Sequence, residues 1–297
     1  MRSNILYLAV VALGGLLPSV ARTDVIYNNL TPNNSMAMAT RPDAPGQLEI
    51  EAADDFLLSA ETLITGGSLT GLLAPSANGG ATSVADVVVE IYRVFPKDSD
   101  TVRTPAVPTR INSPSDNALG GKDSGAGELS FVTSTLAASF TANNSVGPGG
   151  IHPSPNQTTG GNGAVRGAEV QIDFTFATPF DLPADHYFFV PQVQLTNGAQ
   201  FYWLSASRGP ISGPGTTPFS PDLQAWIRDG NLDPDWLRVG TDIVGGATPP
   251  TFNAAFSLAG TTIPEPASGV LLFGGLAVFG LARGGRRLSN RRQPVDS

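Results

Sequence analysis

Cysteine is absent from all 297 residues. No disulfide can staple the fold, and no thiolate can activate a substrate or hold a metal. Histidine is nearly absent too, with only His152 in a Gly- and Pro-rich stretch and His186 at the head of an apolar run. Two histidines so far apart argue against a zinc site and against a Ser-His-Asp triad, which needs one imidazole held against a nucleophile. Ser124 in "GKDSGAG" lacks the G-x-S-x-G spacing of a nucleophile elbow and reads as a Gly-Ser loop. Basic charge is also scarce where it would matter. The first 21 residues hold one Arg and no acid, and residues 264–297 hold five Arg and two acids. Residues 22–263 are left with 11 basic and 23 acidic side chains, a net charge of −12. A surface of that sign repels phosphate, which excludes nucleic acid as a partner. It suits solubility, a cation or a neutral polymer.

What is present is turn chemistry around apolar matter. The chain has 34 Gly and 25 Pro, yet 41% of its residues are hydrophobic, enough for a packed core. Both ends differ from the middle. "MRSNILYLAVVALGGLLPSVA" has a positive Arg2, an apolar run from Ile5 to Leu17 and the small-x-small triplet Ser19-Val20-Ala21. That is a secretory signal peptide, cut by signal peptidase after Ala21. Near the other end stand Pro264, Glu265 and Pro266, then an uncharged stretch from Ala267 to Ala282, then Arg283, Arg286, Arg287, Arg291 and Arg292. As a helix the 16-residue stretch reaches about 24 Å, close to a hydrocarbon core of about 30 Å once Arg283 snorkels. The arginines orient it with the tail in the cytoplasm and the body outside. The two prolines favour an extended, accessible segment beside the membrane.

This arrangement of a Pro-Glu-Pro triplet, a short apolar helix and a terminal Arg cluster resembles the PEP-CTERM sorting domain of exported bacterial proteins. The resemblance covers about 30 residues. It implies recognition by an exosortase, transient insertion in the inner membrane, removal of the tail, and delivery to the cell surface or the extracellular space. It also implies an association with exopolysaccharide and biofilm.

Residues 22–263 read as one extracytoplasmic domain of strands and turns. "EVQIDFTF" alternates strictly, with Val170, Ile172, Phe174 and Phe176 on one face. "TFNAAFSL" repeats the pattern through Phe252, Ala254, Phe256 and Leu258. "DVVVEIYRVF" is β-branched and continuous, the mark of a central strand. "HYFFVPQVQL" carries Pro191, which predicts an edge or a bulge. "VIYNN", "LEIEAADDFLL", "ETLITGGSLTGLL", "QFYWLSA", "DLQAWIRDG" and "DWLRVGTD" complete about ten strands, with no helix among them. The fold class expected is all-β, an antiparallel β-sandwich resembling a jelly roll. Three long loops interrupt it, at Pro96–Gly127, Asn143–Gly163 and Ser207–Pro221.

Candidate chemistry in the body is sparse. Asp54 and Asp55 are neighbours on a strand, so they face opposite sides and do not make a dyad. A glycosidase needs two carboxyls facing across a cleft, which no spacing here dictates. "DGNLDPDW" sets Asp229, Asn231, Asp233 and Asp235 at every second position. Such oxygen-rich loops bind calcium when the backbone coils around the ion, although Pro234 and Gly240 stand where an EF-hand has Gly and Glu. The other reading is a solvated turn with Asx bonds. No other cofactor is called for. Trp203, Trp226 and Trp236, with Tyr92, Tyr187 and Tyr202, are either core or a platform for stacking sugars. The sequence therefore describes an exported structural or carbohydrate-associating module rather than an enzyme. A carbohydrate-active hydrolase or lyase on the same scaffold is the alternative.

Overall fold

The computed structural model describes residues 24–75, 79, 81–151, 158–207 and 221–263. The signal peptide, the Pro264–Pro266 motif, the apolar helix, the Arg cluster and His152 lie outside the described residues. So does most of the Ser207–Pro221 loop.

The described residues are all-β and form two sheets. In chain order the first strands are β1 (Asp24–Asn28), β2 (Pro32–Ala39), β3 (Ile50–Leu58), β4 (Thr62–Leu73) and β5 (Val84–Arg93). Next come β6 (Gly120–Asp123), β7 (Leu129–Ala142), β8 (Ser145–Val146), β9 (Val165–Leu182) and β10 (Asp185–Leu195). The last are β11 (Phe201–Ala206), β12 (Trp226–Asp229), β13 (Leu237–Arg238), β14 (Asn253–Ala254) and β15 (Phe256–Thr262). One sheet runs β1-β15-β4-β11-β2-β8, with β9 also on β4, β7 on β9 and β14 on β11. The other runs β13-β12-β3-β10-β5-β6. All pairings are antiparallel except β2 with β8.

Period-2 alternation decides what is buried. Val170, Ile172, Phe174 and Phe176 of β9 enter the core, while Thr175 between them is exposed. Side chains of both sheets share one core cluster. Phe189 of β10 is its hub, stacking on Phe256 of β15 at 4.9 Å and on Phe174 of β9 at 5.8 Å. The edge of Trp203 from β11 closes a third side at 5.8 Å. Gly71 is fixed by this packing, because a Cβ there would lie 2.2 Å from the Phe201 ring.

Three sequence expectations change. Pro191 is neither on an edge strand nor at a bulge. β10 is paired on both sides, and its register with β5 runs unbroken through Pro191 opposite Val89. Proline fits because the β3 ladder ends at Phe189, so no β3 carbonyl needs an N–H from residue 191. "DWLRVGTD" is a strand only at Leu237–Arg238. Residues Val239–Val244 then form a single turn of π-helix. Asp242 draws the chain round, accepting hydrogen bonds from the Arg238 N–H, Nε and Nη2 at 2.8, 2.9 and 2.6 Å. A short 3₁₀ turn at Thr196–Gly198 is the other helical piece among the described residues. Finally, the strands among the described residues number fifteen rather than about ten. The Pro96–Gly127 loop contains β6, and the Asn143–Gly163 loop contains β8.

Candidate functional site

The run into β3, "QLEIEA", places Gln47, Glu49 and Glu51 on one side and Leu48, Ile50 and Ala52 on the other. Ile50 and Ala52 join the core. The polar side faces away from it, and neighbouring strands complete a stripe of amides and carboxyls. Gln194 Nε2 donates to Gln47 Oε1 at 3.0 Å, and Gln192 Nε2 to Glu49 Oε1 at 2.9 Å. Arg228 of β12 lies opposite Glu51 in register and donates to it through Nε. Its Nη2 reaches Tyr92 Oη at 2.9 Å, and its Nη1 lies 2.7 Å from Asp233 Oδ1. The guanidinium also covers the Trp236 ring at 4.3 Å. Tyr92 Oη stands 2.8 Å from Glu51 Oε1 and 3.1 Å from Glu90 Oε2.

Glu49, Glu90 and Gln194 are half-buried, whereas Glu51, Gln192 and Arg228 are buried. The stripe thus has a rigid floor and a row of reachable tips. Burial, the charge of Glu51 and a hydrogen bond to Glu51 push Glu90 up to about 7. Burial and then Glu51 push Glu49 up as well. Burial works against the charge on Arg228, but Glu51 and the groups around it outweigh burial and hold the guanidinium firmly protonated. Chemically, the stripe offers alternating donors and acceptors of the kind that meet hydroxyl groups. The Glu51 and Glu90 carboxyls meet at the Tyr92 hydroxyl, at 2.8 and 3.1 Å. The acid–base pairs that cleave glycosidic bonds stand about 5 Å apart or more, leaving room for the substrate.

Asp54 and Asp55 are both fully buried and diverge. Asp54 accepts the Ala254 N–H at 2.7 Å. Asp55 lies 2.6 Å from His186 Nε2 and accepts the Leu223 N–H at 3.0 Å. Burial pushes both carboxyls up, with Asp55 adding to the shift of Asp54 and His186 opposing the shift of Asp55.

The four residues of the candidate calcium turn each have a different setting. Asp229 Oδ1 accepts the N–H groups of Asn231 and Leu232 at 3.0 and 3.1 Å, an Asx turn. Asn231 is exposed. Asp233 pairs with Arg228. Asp235 is buried and clasped by Arg103, whose Nη2 and Nη1 donate at 2.7 and 3.1 Å. Its Oδ2 also accepts the Ala106 N–H, and Arg110 Nε lies 3.7 Å from its Oδ1. Arg103 and Arg110 both reach Asp116 as well, so the 96–119 loop is tied to the turn by a cluster of ions. Among the described residues no group of three or more His, Asp or Glu is placed to hold a metal ion.

Trp203, Trp226 and Trp236 are no more than 1% exposed, and Tyr92 and Tyr187 are buried, so these rings are core rather than an open platform. Sequence reasoning missed the stripe and the ion cluster. The signal for the stripe is the alternation of Gln47, Glu49 and Glu51, where the segment "LEIEAADDFLL" predicts only a strand. Among the described residues no helix is long and apolar enough to cross a membrane. No family model, curated protein or solved structure matches the chain.

Proposed function

We propose that the chain is an exported surface or matrix protein whose body associates with extracellular polysaccharide. In this reading signal peptidase cuts after Ala21. The tail from Pro264 holds the protein briefly in the inner membrane until an exosortase removes it. The body is a β-sandwich of jelly-roll type, in keeping with two largely antiparallel sheets that share one core. The observation that carries the binding role is the stripe of Gln47, Glu49, Glu90, Gln192 and Gln194 on a sheet face, stiffened by Arg228, Glu51 and Tyr92. Amide and carboxyl groups on a rigid sheet bind hydroxyls with little ordering cost.

Two measurements test it. Peptide mapping of the native protein should find an outer form that starts near Arg22 and ends close to Pro264–Pro266. An intact tail in the inner membrane would defeat the sorting half. Retention of the protein on host exopolysaccharide should fall at least about tenfold in Glu49→Ala/Gln194→Ala, by loss of two hydrogen-bonding groups. Undiminished retention would defeat the binding half.

The Glu90 carboxyl, pushed up to about 7 by burial and the charge of Glu51, favours a second reading, a carbohydrate hydrolase or lyase on the same scaffold. New reducing or unsaturated ends released from polysaccharide by the wild type, and lost in Glu90→Gln, would establish it.

A further inference from the structure

Arg41 differs from the other described arginines. It is 9% exposed, and burial lowers its affinity for a proton. Arg93, Arg103, Arg110, Arg228 and Arg238 each have a carboxylate partner. Arg166 has none among the described residues but is exposed. Among the described residues Arg41 forms no ion pair. Its Nε donates to the Leu48 carbonyl and its Nη1 to Gln200 Oε1, both neutral acceptors. A guanidinium has five N–H donors, so these two bonds leave three to spend. A buried cation without an anion is costly, and an anion arriving from outside would offset that cost.

This arginine lines a cleft of about 360 Å³, within the range of small-molecule sites. The walls are apolar, made by Leu48, Ile50, Pro148 and Ile151. The remaining polar groups are Asp229 and Asn231, from the turn after β12. Among the described residues Asp229 makes no ion pair with Arg41, although both line the cleft. Asp229 Oδ1 is occupied by the turn's own N–H groups.

We infer that this cleft binds a sugar acid, with the carboxylate of a hexuronate unit on Arg41, its hydroxyls toward Asp229 and Asn231, and its ring against the aliphatic walls. Arg is suited to this because its planar fork matches a carboxylate bidentately. The site is separate from the Gln–Glu stripe and does not depend on it. It adds a selection for acidic sugars that the stripe, itself rich in carboxyls, does not supply.

Calorimetric titration of the full-length protein with D-glucuronate, with glucose and with oligogalacturonate tests the inference. Glucuronate should bind saturably and glucose at least about tenfold more weakly, since glucose lacks the charged group. Oligogalacturonate binding with the same stoichiometry would assign the site to a polymer, and its failure beside bound glucuronate would assign it to free sugar acids or chain ends. Arg41→Gln should weaken glucuronate by about tenfold or more. Asn231→Trp changes an exposed position at the mouth of the cleft and should block binding with the melting temperature unchanged, which covers the case of an Arg41 variant that fails to fold. Val132→Ala, at an exposed position on β7 outside the cleft lining, should leave glucuronate binding intact. Equal affinity for glucose and glucuronate, no saturable binding of glucuronate, or wild-type affinity in both Arg41→Gln and Asn231→Trp would overturn the assignment.

Discussion

Arg103 and Asp235 stand 132 residues apart in the chain and close on each other through two hydrogen bonds of 2.7 and 3.1 Å. The pair pins the long loop after β5 to the turn after β12. Burial pushes the Asp235 carboxyl up, but the bonds from Arg103 and the Ala106 N–H and the charges of Arg103 and Arg110 outweigh it and hold the carboxyl below its usual range. Asp235→Ala should cost about 3 kcal/mol, because it strands buried positive charge. Asp233→Ala, at a half-exposed carboxylate, should cost no more than about 1 kcal/mol. Urea unfolding of the two variants checks the contrast. The stabilisation from Asp235 is present above the unfolded carboxyl range near pH ~4 and is lost as pH falls through its lower folded value.

Glu90 runs the opposite way. Its folded value of about 7 lies above that of a free glutamate. The proton is bound more tightly in the native state, so its stabilisation is complete below pH ~4 and is lost as pH rises toward 7. Glu90→Gln should therefore be more stable than the wild type at pH ~8, by on the order of 2–3 kcal/mol, and indistinguishable from it near pH ~4. Thermal melts across that interval measure it. A constant offset at every pH would show that Glu90 keeps no proton of its own.

Much of this was beyond a local reading, for physical reasons. β9 and β15 were legible because one face is buried and the other is not. β7 shows no such contrast. Its 14 residues carry no charge, it pairs only with β9 among the described strands, and Val132 and Leu136 on it are exposed. β2, "PNNSMAMA", hides behind Asn and Ser that read as loop. The stripe was half visible: the alternation at Gln47, Glu49 and Glu51 lies in the sequence, but Gln192 and Arg228 arrive through pairing of strands far apart. Arg41 left no local trace, since what marks it is the missing partner.

Phe189 tests whether the two sheets depend on one core. Phe189→Ala removes the ring that meets Phe174, Phe256 and Trp203 and should cost about 3–5 kcal/mol. Val102→Ala, at a side chain 91% exposed, should stay within about 0.5 kcal/mol. Similar small losses at both positions, read by denaturant unfolding, would mean that the sheets are stable separately.

Calcium should have little hold on the turn as it stands. Asp229 binds its own backbone, Asp233 binds Arg228 and Asp235 binds Arg103. Millimolar calcium or EDTA should move the melting temperature by less than about 1 °C, since a ligand stabilises only where it binds the native state. A rise of several degrees with calcium would mean that the turn gives up these bonds and recoils around the ion.

The arginine–carboxylate cluster that clasps the 96–119 loop has a consequence for maturation. Its fastenings are made by proximity alone. They need no oxidant, no isomerase to correct wrong pairings and no particular redox potential, and a reductant has nothing to cut. The same loop therefore closes equally well in a reducing or an oxidising compartment. Its point of failure is acid, which removes the carboxylate charge, and secondarily salt, which screens the outer arginine.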